Sequence, residues 1–573
     1  MPAQPAAVTA AQVRALLLRR DEVVIADVRE EALYARGHPL WAANFPLSLL
    51  ELDAWRRIPR LDTPVVVYGD ADAPARQAID VLRRLGYSDV RPLLDGLDGW
   101  TASGGELFQD VNAPSKAFGE LVESVNRTPS LTAEHVGAMI EAGTPPVIVD
   151  ARRFDEFRTM SIPTATSVPG AELVLRIREL APDPATPVVV NCAGRTRSII
   201  GAQSLINAGL PNPVAALRNG TIGWTLAGQR LDHGATGTAP PGVSESHHAL
   251  ARSGARAVAR RAGVRFIHTS ELPGLYDPRR TTYLFDVRSA AEFAAGHLDG
   301  SLHAPGGQLV QETDHHAPVR GARIVLVDDD GVRAAMTGSR LAQMGWETWA
   351  ISPADPGDLV LRGAEPGPVP DPPQVETVDA ATLRTWLGAC EEATAVIDRL
   401  GTDHLDRLDA VRAATVVIDV GPSRDYAAGH VPGAWHAARA RLPAALGTID
   451  AAARHTTGYT TGHTTGHTTG GHIVTRYVVT SPTGRLARFA AADLSRLTSA
   501  PVFSLDGGTA AWGTSAPLES EPARYAVPPA DRYRRPYEGT DNGRAAMEAY
   551  LEWEFGLVEQ LKRDGTHHFR VLR

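Results

Sequence analysis

Four times along this chain a run of apolar, largely β-branched residues ends in an aspartate: Ile25-Ala26-Asp27-Val28-Arg29, Ile148-Val149-Asp150-Ala151-Arg152, Leu284-Phe285-Asp286-Val287-Arg288 and Val417-Ile418-Asp419-Val420-Gly421. Short apolar runs bounded by polar residues predict buried strands. Each is preceded by a helical segment with a capping candidate, Thr9, Thr132, Thr269 and Asp379 in turn. Eleven residues after each aspartate stand His38, Ser161, His297 and His430, the histidines each following a glycine, Gly37, Gly296 and Gly429. A second apolar strand follows in every unit: Pro64 to Tyr68, Pro187 to Asn191, Ile324 to Val327, and Tyr477 to Thr480. The pattern therefore repeats at domain-sized intervals.

Strands alternating with helices predict an α/β fold. Each unit is expected to hold a central, mostly parallel sheet flanked by helices, with the loops at the strand carboxyl ends free for chemistry. A chain of 573 residues exceeds what one hydrophobic core supports. Composition shifts at Gly104 to Pro129, Thr236 to Ser246 and the proline-dense Glu365 to Pro373 divide it into units over 1–115, 126–235, 262–364 and 375–524. A tail over 525–573 follows, with a helix expected from about Asn542 to Arg563, carrying Met547, Tyr550, Leu551, Glu554, Val558 and Leu561, that packs back on a neighbouring unit.

Distances between the strands align the units. Asp27 to Gly69 and Asp150 to Cys192 are both 42 positions, so Gly69 takes the place of Cys192 in the first unit. Asp328 or Asp329 takes it in the third unit, and Ser481 in the fourth, where 62 positions separate it from Asp419. The added length coincides with the His/Thr/Gly segment 455–472, which reads as an insertion of low complexity. The first, second and fourth units close on a glycine-containing turn and a tryptophan, Trp100, Trp224 and Trp512; the third lacks this ending.

Only the second unit places a sulfur nucleophile at the end of its second strand. Val188-Val189-Val190-Asn191 leads into Cys192-Ala193-Gly194-Arg195-Thr196-Arg197-Ser198, and a helix is expected next from Ile199, Ala202, Leu205 and Ile206, with Gly209 at its stop. A strand-loop-helix turn directs backbone N–H groups and the positive end of the helix dipole at the thiol, which favours a thiolate beside an anion. Cys192 and Arg197 are the catalytic candidates, Arg197 closing the loop around the sulfur. Ala193, Gly194, Arg195, Thr196 and Ser198 are the substrate-binding candidates, with the Arg195 guanidinium facing the substrate and the amides forming the cradle. Ser481 has no evident activating base and reads as structural. The four aspartates and the histidines recur in units without a nucleophile, so they too read as structural.

A net charge of −9 with 21% charged and 43% apolar residues argues against a general nucleic-acid or membrane-surface role. Two cysteines in unlike contexts, Cys192 and Cys390, do not make a disulfide framework, and Cys390, after Trp386 and Leu387, reads as packing. The N-terminus has no leader pattern and no apolar run reaches membrane-spanning length, so a soluble, cytoplasmic protein is expected. No cofactor is called for; the spaced imidazoles of the histidine segment offer metal binding as the minor alternative to a loop expanded by repeats.

Asp-Val-Arg followed by Glu292-Phe293 and Gly296-His297, Gly433-Ala434 in the fourth unit, a strand into a cysteine loop, and the Gly-to-Trp ending together resemble the tandem rhodanese-homology family. The resemblance covers nearly the whole chain. It implies rhodanese-like domains and a cysteine persulfide that carries a sulfane sulfur. In two-unit members the first unit lacks the cysteine, the second carries it, and the site lies near their interface; units one and two resemble that pair. Gly194 departs from the family loop by standing two rather than three residues after the cysteine.

The expected activity is a sulfurtransferase with a small-molecule donor such as thiosulfate and a thiol or cyanide acceptor. A cysteine phosphatase is the enzymatic alternative, but its signature would require arginine at position 198, where Ser198 stands; the arginine comes one earlier, at Arg197. A non-catalytic sulfur-binding or scaffolding array is the alternative of another class.

Overall fold

A computed structural model describes residues 6–363, 367–388, 414–455 and 474–573. Cys390 and residues 456–472 lie outside the described residues. Four separate sheets form, and every strand pairing in them is parallel. In the second unit the order is Ser130–Leu131, Val214–Leu217, Val188–Asn191, Val147–Asp150 and Thr166–Ser167. Asp150 lies in register with Asn191, so Cys192 leaves the sheet at its carboxyl edge beside the aspartate. The same registration places Asp27 beside Tyr68, Asp286 beside Val327 and Asp419 beside Thr480. The valines of Val188–Asn191 are buried on both faces, as helices cover both sides of a parallel sheet.

Each aspartate ties down its own strand end. Asp150 accepts from Arg152 Nε at 2.9 Å and Nη2 at 2.7 Å, and Arg152 donates onward to the Met160 carbonyl at 2.6 Å. Asp27 with Arg29 and Asp286 with Arg288 repeat the arrangement. In the fourth unit Gly421 replaces the arginine, and Thr509 Oγ1 donates to Asp419 at 3.2 Å instead. The eleven-residue spacing also has a physical origin: His38, Ser161, His297 and His430 each bridge antiparallel to a returning segment, at Phe108, Asp232, Leu361 and Glu519. The three histidine rings are buried and stack at about 4 Å on Tyr34, Phe293 and Tyr426.

Several local expectations change. The cap of the Thr269–Leu275 turn is His268, whose backbone N–H donates to Glu271, not Thr269. The reactive-loop helix runs Thr196–Asn207; Ile199, Ala202 and Leu205 are buried, but Ile206 faces outward. The stretch from Gly104 to Pro129 is no open linker, because Ala113–Asn126 is a helix, with Ala113, Ala117, Phe118 and Val122 buried, that packs on the helix Thr196–Asn207. An 18-residue helix, Glu245–Ala262, joins the second and third units and packs on Arg333–Gln343. The tail helix is Arg544–Asp564 and packs on Ala113–Asn126; Leu557 takes the buried place expected of Val558.

Unit one packs chiefly on unit three, not over the cysteine loop of unit two. Tyr283 donates to the Arg57 carbonyl at 2.7 Å, Arg57 donates to the His315 carbonyl at 2.8 Å, and Val23 pairs with Arg320. One continuous apolar core runs through units one to three and takes in Leu557, Leu561 and Phe569 of the tail. Unit four attaches to unit one through the buried pair of Arg439 and Glu51, at 2.7 and 2.9 Å. Among the described residues no helix is long and apolar enough to cross a membrane.

Candidate active site

Cys192 is 1% exposed and sits at the bottom of its loop. The thiol donates to Ser198 Oγ at 3.4 Å, and that hydroxyl donates to the Arg195 carbonyl at 2.8 Å. The loop's carbonyls face the other way. Thr221 N–H donates to the Cys192 carbonyl at 2.9 Å, and Ile222 N–H and Thr221 Oγ1 donate to that of Ala193 at 3.0 and 3.1 Å. With the carbonyls held there, the amides of Ala193 to Arg197 are left without a protein acceptor among the described residues. The turn that receives the carbonyls needs its glycine: Gly220 has φ +54°, and a Cβ there would lie 2.3 Å from the Cys192 oxygen. The glycine of the Gly-to-Trp ending is thus part of the cysteine loop.

Unit three shows what such a loop can hold. Asp328, at the cysteine position, accepts from the Gly331 amide at 3.1 Å and the Ala334 amide at 2.8 Å. Arg333, five residues on, forms a fork with Glu292 at 2.8 and 2.9 Å. Arg197, five residues after Cys192, forms the matching fork with Glu156 at 2.9 and 2.8 Å. Both glutamates stand six residues after the unit's aspartate, a recurrence in the sequence from which Glu156 could have been found. Burial pushes the Glu156 carboxyl up, but Arg197 more than offsets it and holds it down at about 2. In turn, Glu156 raises Arg197 against the effect of its burial.

Arg195 goes elsewhere than expected. Its guanidinium is buried, donates to Glu120 at 2.7 and 2.9 Å and to Glu123, and stacks on Phe555 at 4.3 Å. Arg195 lines the cavity over Cys192, but the glutamates on the helix Ala113–Asn126 neutralise its guanidinium, so it is not a free cation there. Nor does the loop simply lower the thiol pKa. Burial dominates and raises it; the Arg197 charge and the side chain and backbone of Ser198 pull it down, and Glu554 pushes it further up. A bare thiolate here is costly, and an anion in the loop must use the amides and Arg197.

The cavity of about 20 Å³ over Cys192 is closed by groups from three other parts of the chain: Lys116 of the interdomain helix, Gln311 of unit three, and Tyr537, Tyr550 and Glu554 of the tail. Glu554 is fully buried, with one oxygen accepting from Tyr550 at 3.0 Å and Thr196 at 3.4 Å and the other unpartnered. Burial, with the Glu120 charge adding, pushes its carboxyl up to about 8, against Lys116, Tyr550 and Arg195. Its proton is thus held far above the usual carboxylate range. Gly194 lets the tail come this close, since a Cβ there would lie 3.0 Å from Tyr550 and 3.1 Å from Glu554. Lys116 pairs with Asp110 at 2.9 Å and lies 5.1 Å from the Tyr550 ring centre and 5.3 Å from that of Trp553. None of these five residues carries a local sequence signal for this role.

Arg197, Gln311 and Tyr537 also line a neighbouring cleft of about 400 Å³, whose walls carry Arg153, Arg424, Arg532, Arg534 and Arg535. Among the described residues no group of three His, Cys, Asp or Glu side chains is placed to hold a metal ion.

Four parallel sheets, each ending its central strands in the same aspartate-anchored loop, and, among the described residues, one buried cysteine in such a loop define a tandem α/β array. The rhodanese-like domain family model matches residues 9–103, 132–227, 270–352 and 402–515. The chain belongs to the rhodanese-like family. It is 52% identical to a thiosulfate sulfurtransferase from Pseudomonas aeruginosa, covering 99% of this chain and 100% of that one, with a TM-score of 0.90. It is thus a rhodanese-type enzyme, a sulfurtransferase. The Alr3790 protein from Anabaena sp. is similar at 30% identity over 18% of this chain and 82% of that one, with a TM-score of 0.17. No curated protein matches the chain.

Proposed function

We propose that this enzyme moves the outer sulfur of thiosulfate, or of a similarly anionic donor, to a thiophilic acceptor through a persulfide on Cys192. The observation that carries this reading is the loop itself: the amides of Ala193 to Arg197, which follow directly on Cys192, have no acceptor among the described residues, and the same loop in unit three holds the Asp328 carboxyl on its amides. A persulfide is anionic and needs those donors.

Cys192 releases its proton to solvent and, as the thiolate, attacks the outer sulfur of the donor. A sulfur–sulfur bond forms at Cys192, the donor's own sulfur–sulfur bond breaks, and sulfite leaves with the electron pair. A thiolate or cyanide then attacks the outer sulfur, and the Cys192 thiolate leaves. Arg197 is the catalytic cation: Glu156 fixes its orientation, and its charge favours the Cys192 thiolate that attacks and later leaves. Ala193, Gly194, Thr196 and Ser198 contribute the cradle, while Arg195 positions the loop by anchoring it to Glu120 and Glu123. The arginine-rich cleft beside Arg197 suits an anionic donor's approach. The free cysteine fits a reducing, cytoplasmic setting.

Incubation with thiosulfate followed by intact mass measurement is expected to add one sulfur, removable by cyanide and absent in Cys192→Ser. Sulfur retained by Cys192→Ser would overturn the assignment.

A further inference from the structure

A cavity of about 570 Å³, sharing no residue with the Cys192 cavity, lies where unit one, unit three and the last residues of the tail meet. Six arginines line it, Arg20, Arg261, Arg265, Arg280, Arg320 and Arg570, against one acid, Glu347. In a chain of net charge −9 this is a concentration of positive charge against the overall balance. Glu347 is already shared by Arg265 at 3.3 Å and Arg280 at 2.5 Å. Arg261 donates to the Arg573 carbonyl. The side chains of Arg20 and Arg570 have no partner among the described residues.

Arg320 is the most informative member. It is 7% exposed, has no carboxylate beside it, and is clamped between Trp41 at 3.5 Å and Trp346 at 4.2 Å. Its Nη1 has no hydrogen-bond partner, and the same is true of two other buried groups lining this cavity, Trp346 Nε1 and Thr348 Oγ1. Burial, with Arg20 adding repulsion, lowers Arg320 to about 9. Buried charges in proteins are normally paired, and an unpaired one is strongly destabilising. Arg320, held rigid by two indoles, lacks the counter-charge its surroundings call for.

We propose that this cavity is a binding site for a small multivalent oxyanion of the phosphate class, held by Arg320 from below and by Arg20 and Arg570 from the rim. Guanidinium groups match phosphate oxygens as two-point donors, the unpartnered indole N–H and hydroxyl add neutral donors, and the volume falls within the range of roughly 300–1,000 Å³ typical of small-ligand sites. An occupant would join unit one, unit three and residues 568–570, which lie a few residues beyond the end of the helix carrying Tyr550 and Glu554. This inference does not depend on the role given to Cys192.

Calorimetric titration of the full chain with inorganic triphosphate tests it, with sulfate as the divalent comparison. Saturable binding is expected, at least tenfold tighter for triphosphate than for sulfate and weakened by added salt. The double variant Arg20→Gln/Arg570→Gln, which removes only side chains without protein partners, is expected to lose at least tenfold in affinity while its thiosulfate-derived mass gain is unchanged. A parallel titration with ATP separates the sources: equal affinity assigns recognition to the phosphates alone, and tighter binding adds a contact to the base. Absence of saturable heat, undiminished affinity in the double variant, or loss of binding in Arg424→Gln, which lies in the cleft beside Cys192, would each overturn the proposal.

Discussion

Replacing Glu554 with glutamine isolates the contribution of the tail to the Cys192 site. The carboxyl moves from an ordinary 4.5 to about 8 in the folded chain. Below pH 4.5 the group is protonated in folded and unfolded chains alike and costs nothing. Between 4.5 and 8 the unfolded chain releases the proton and the folded one keeps it, so folding loses stability as pH rises, and the loss levels off above 8. At about 1.36 kcal/mol per pH unit the penalty is about 3 kcal/mol at pH 7 and about 5 kcal/mol above pH 8. Glutamine is the neutral isostere and keeps an acceptor for Tyr550, so Glu554→Gln should resemble the protonated form at every pH. In a multidomain chain the local reading is amide hydrogen exchange across the helix Arg544–Asp564. The variant's protection is expected to exceed that of the parent by a margin that grows from pH 5 to about pH 8 and then levels off. A second readout follows from the sign of the Glu554 effect on the thiol: the ionised carboxylate opposes the Cys192 thiolate, so persulfide formation in the parent should fall behind the variant above pH 8. A protection difference that stays constant from pH 5 to 9 would refute the reasoning.

Other substitutions test the rest of the site. Glu156→Ala leaves Arg197 largely buried without its carboxylate, and a loss of about 3–5 kcal/mol in unit two is expected, read by thermal melting; Glu156→Gln, which keeps a hydrogen-bond acceptor, should recover part of the persulfide formation. Gly220→Ala forces a Cβ against the Cys192 carbonyl; a loss of about 1–3 kcal/mol is expected, with the thiosulfate mass gain much reduced while far-ultraviolet circular dichroism is retained. Arg195→Gln leaves Glu120 and Glu123 without their cation, so a fall in stability with little change in the KM for thiosulfate is expected, whereas a large rise in KM would restore Arg195 as a substrate contact.

What could be read directly from the chain was whatever local physics repeats. The aspartate-ending strands, the eleven-residue interval and the 42-residue spacing to Cys192 follow from strand register and backbone bridging, and these recur because each sheet solves the same packing problem. The order of the loop, with arginine five residues after the cysteine, was legible for the same reason, and the Glu156 partner could have been recovered from its echo at Glu292. Tertiary structure alone decided who closes the site. Lys116, Gln311, Tyr537, Tyr550 and Glu554 come from an interdomain helix, another unit and the tail. No local periodicity encodes which distant helix a loop will meet. The two arginines of the loop show the division most clearly: neighbours of equal charge in the sequence, one is turned to Glu156 beside the sulfur and the other is drawn away by Glu120 and Glu123. Cys192 stood out in the sequence as the candidate nucleophile, but its thiol pKa depends on how much of the chain buries it, and that sum of desolvation against nearby charge exists only in the folded array.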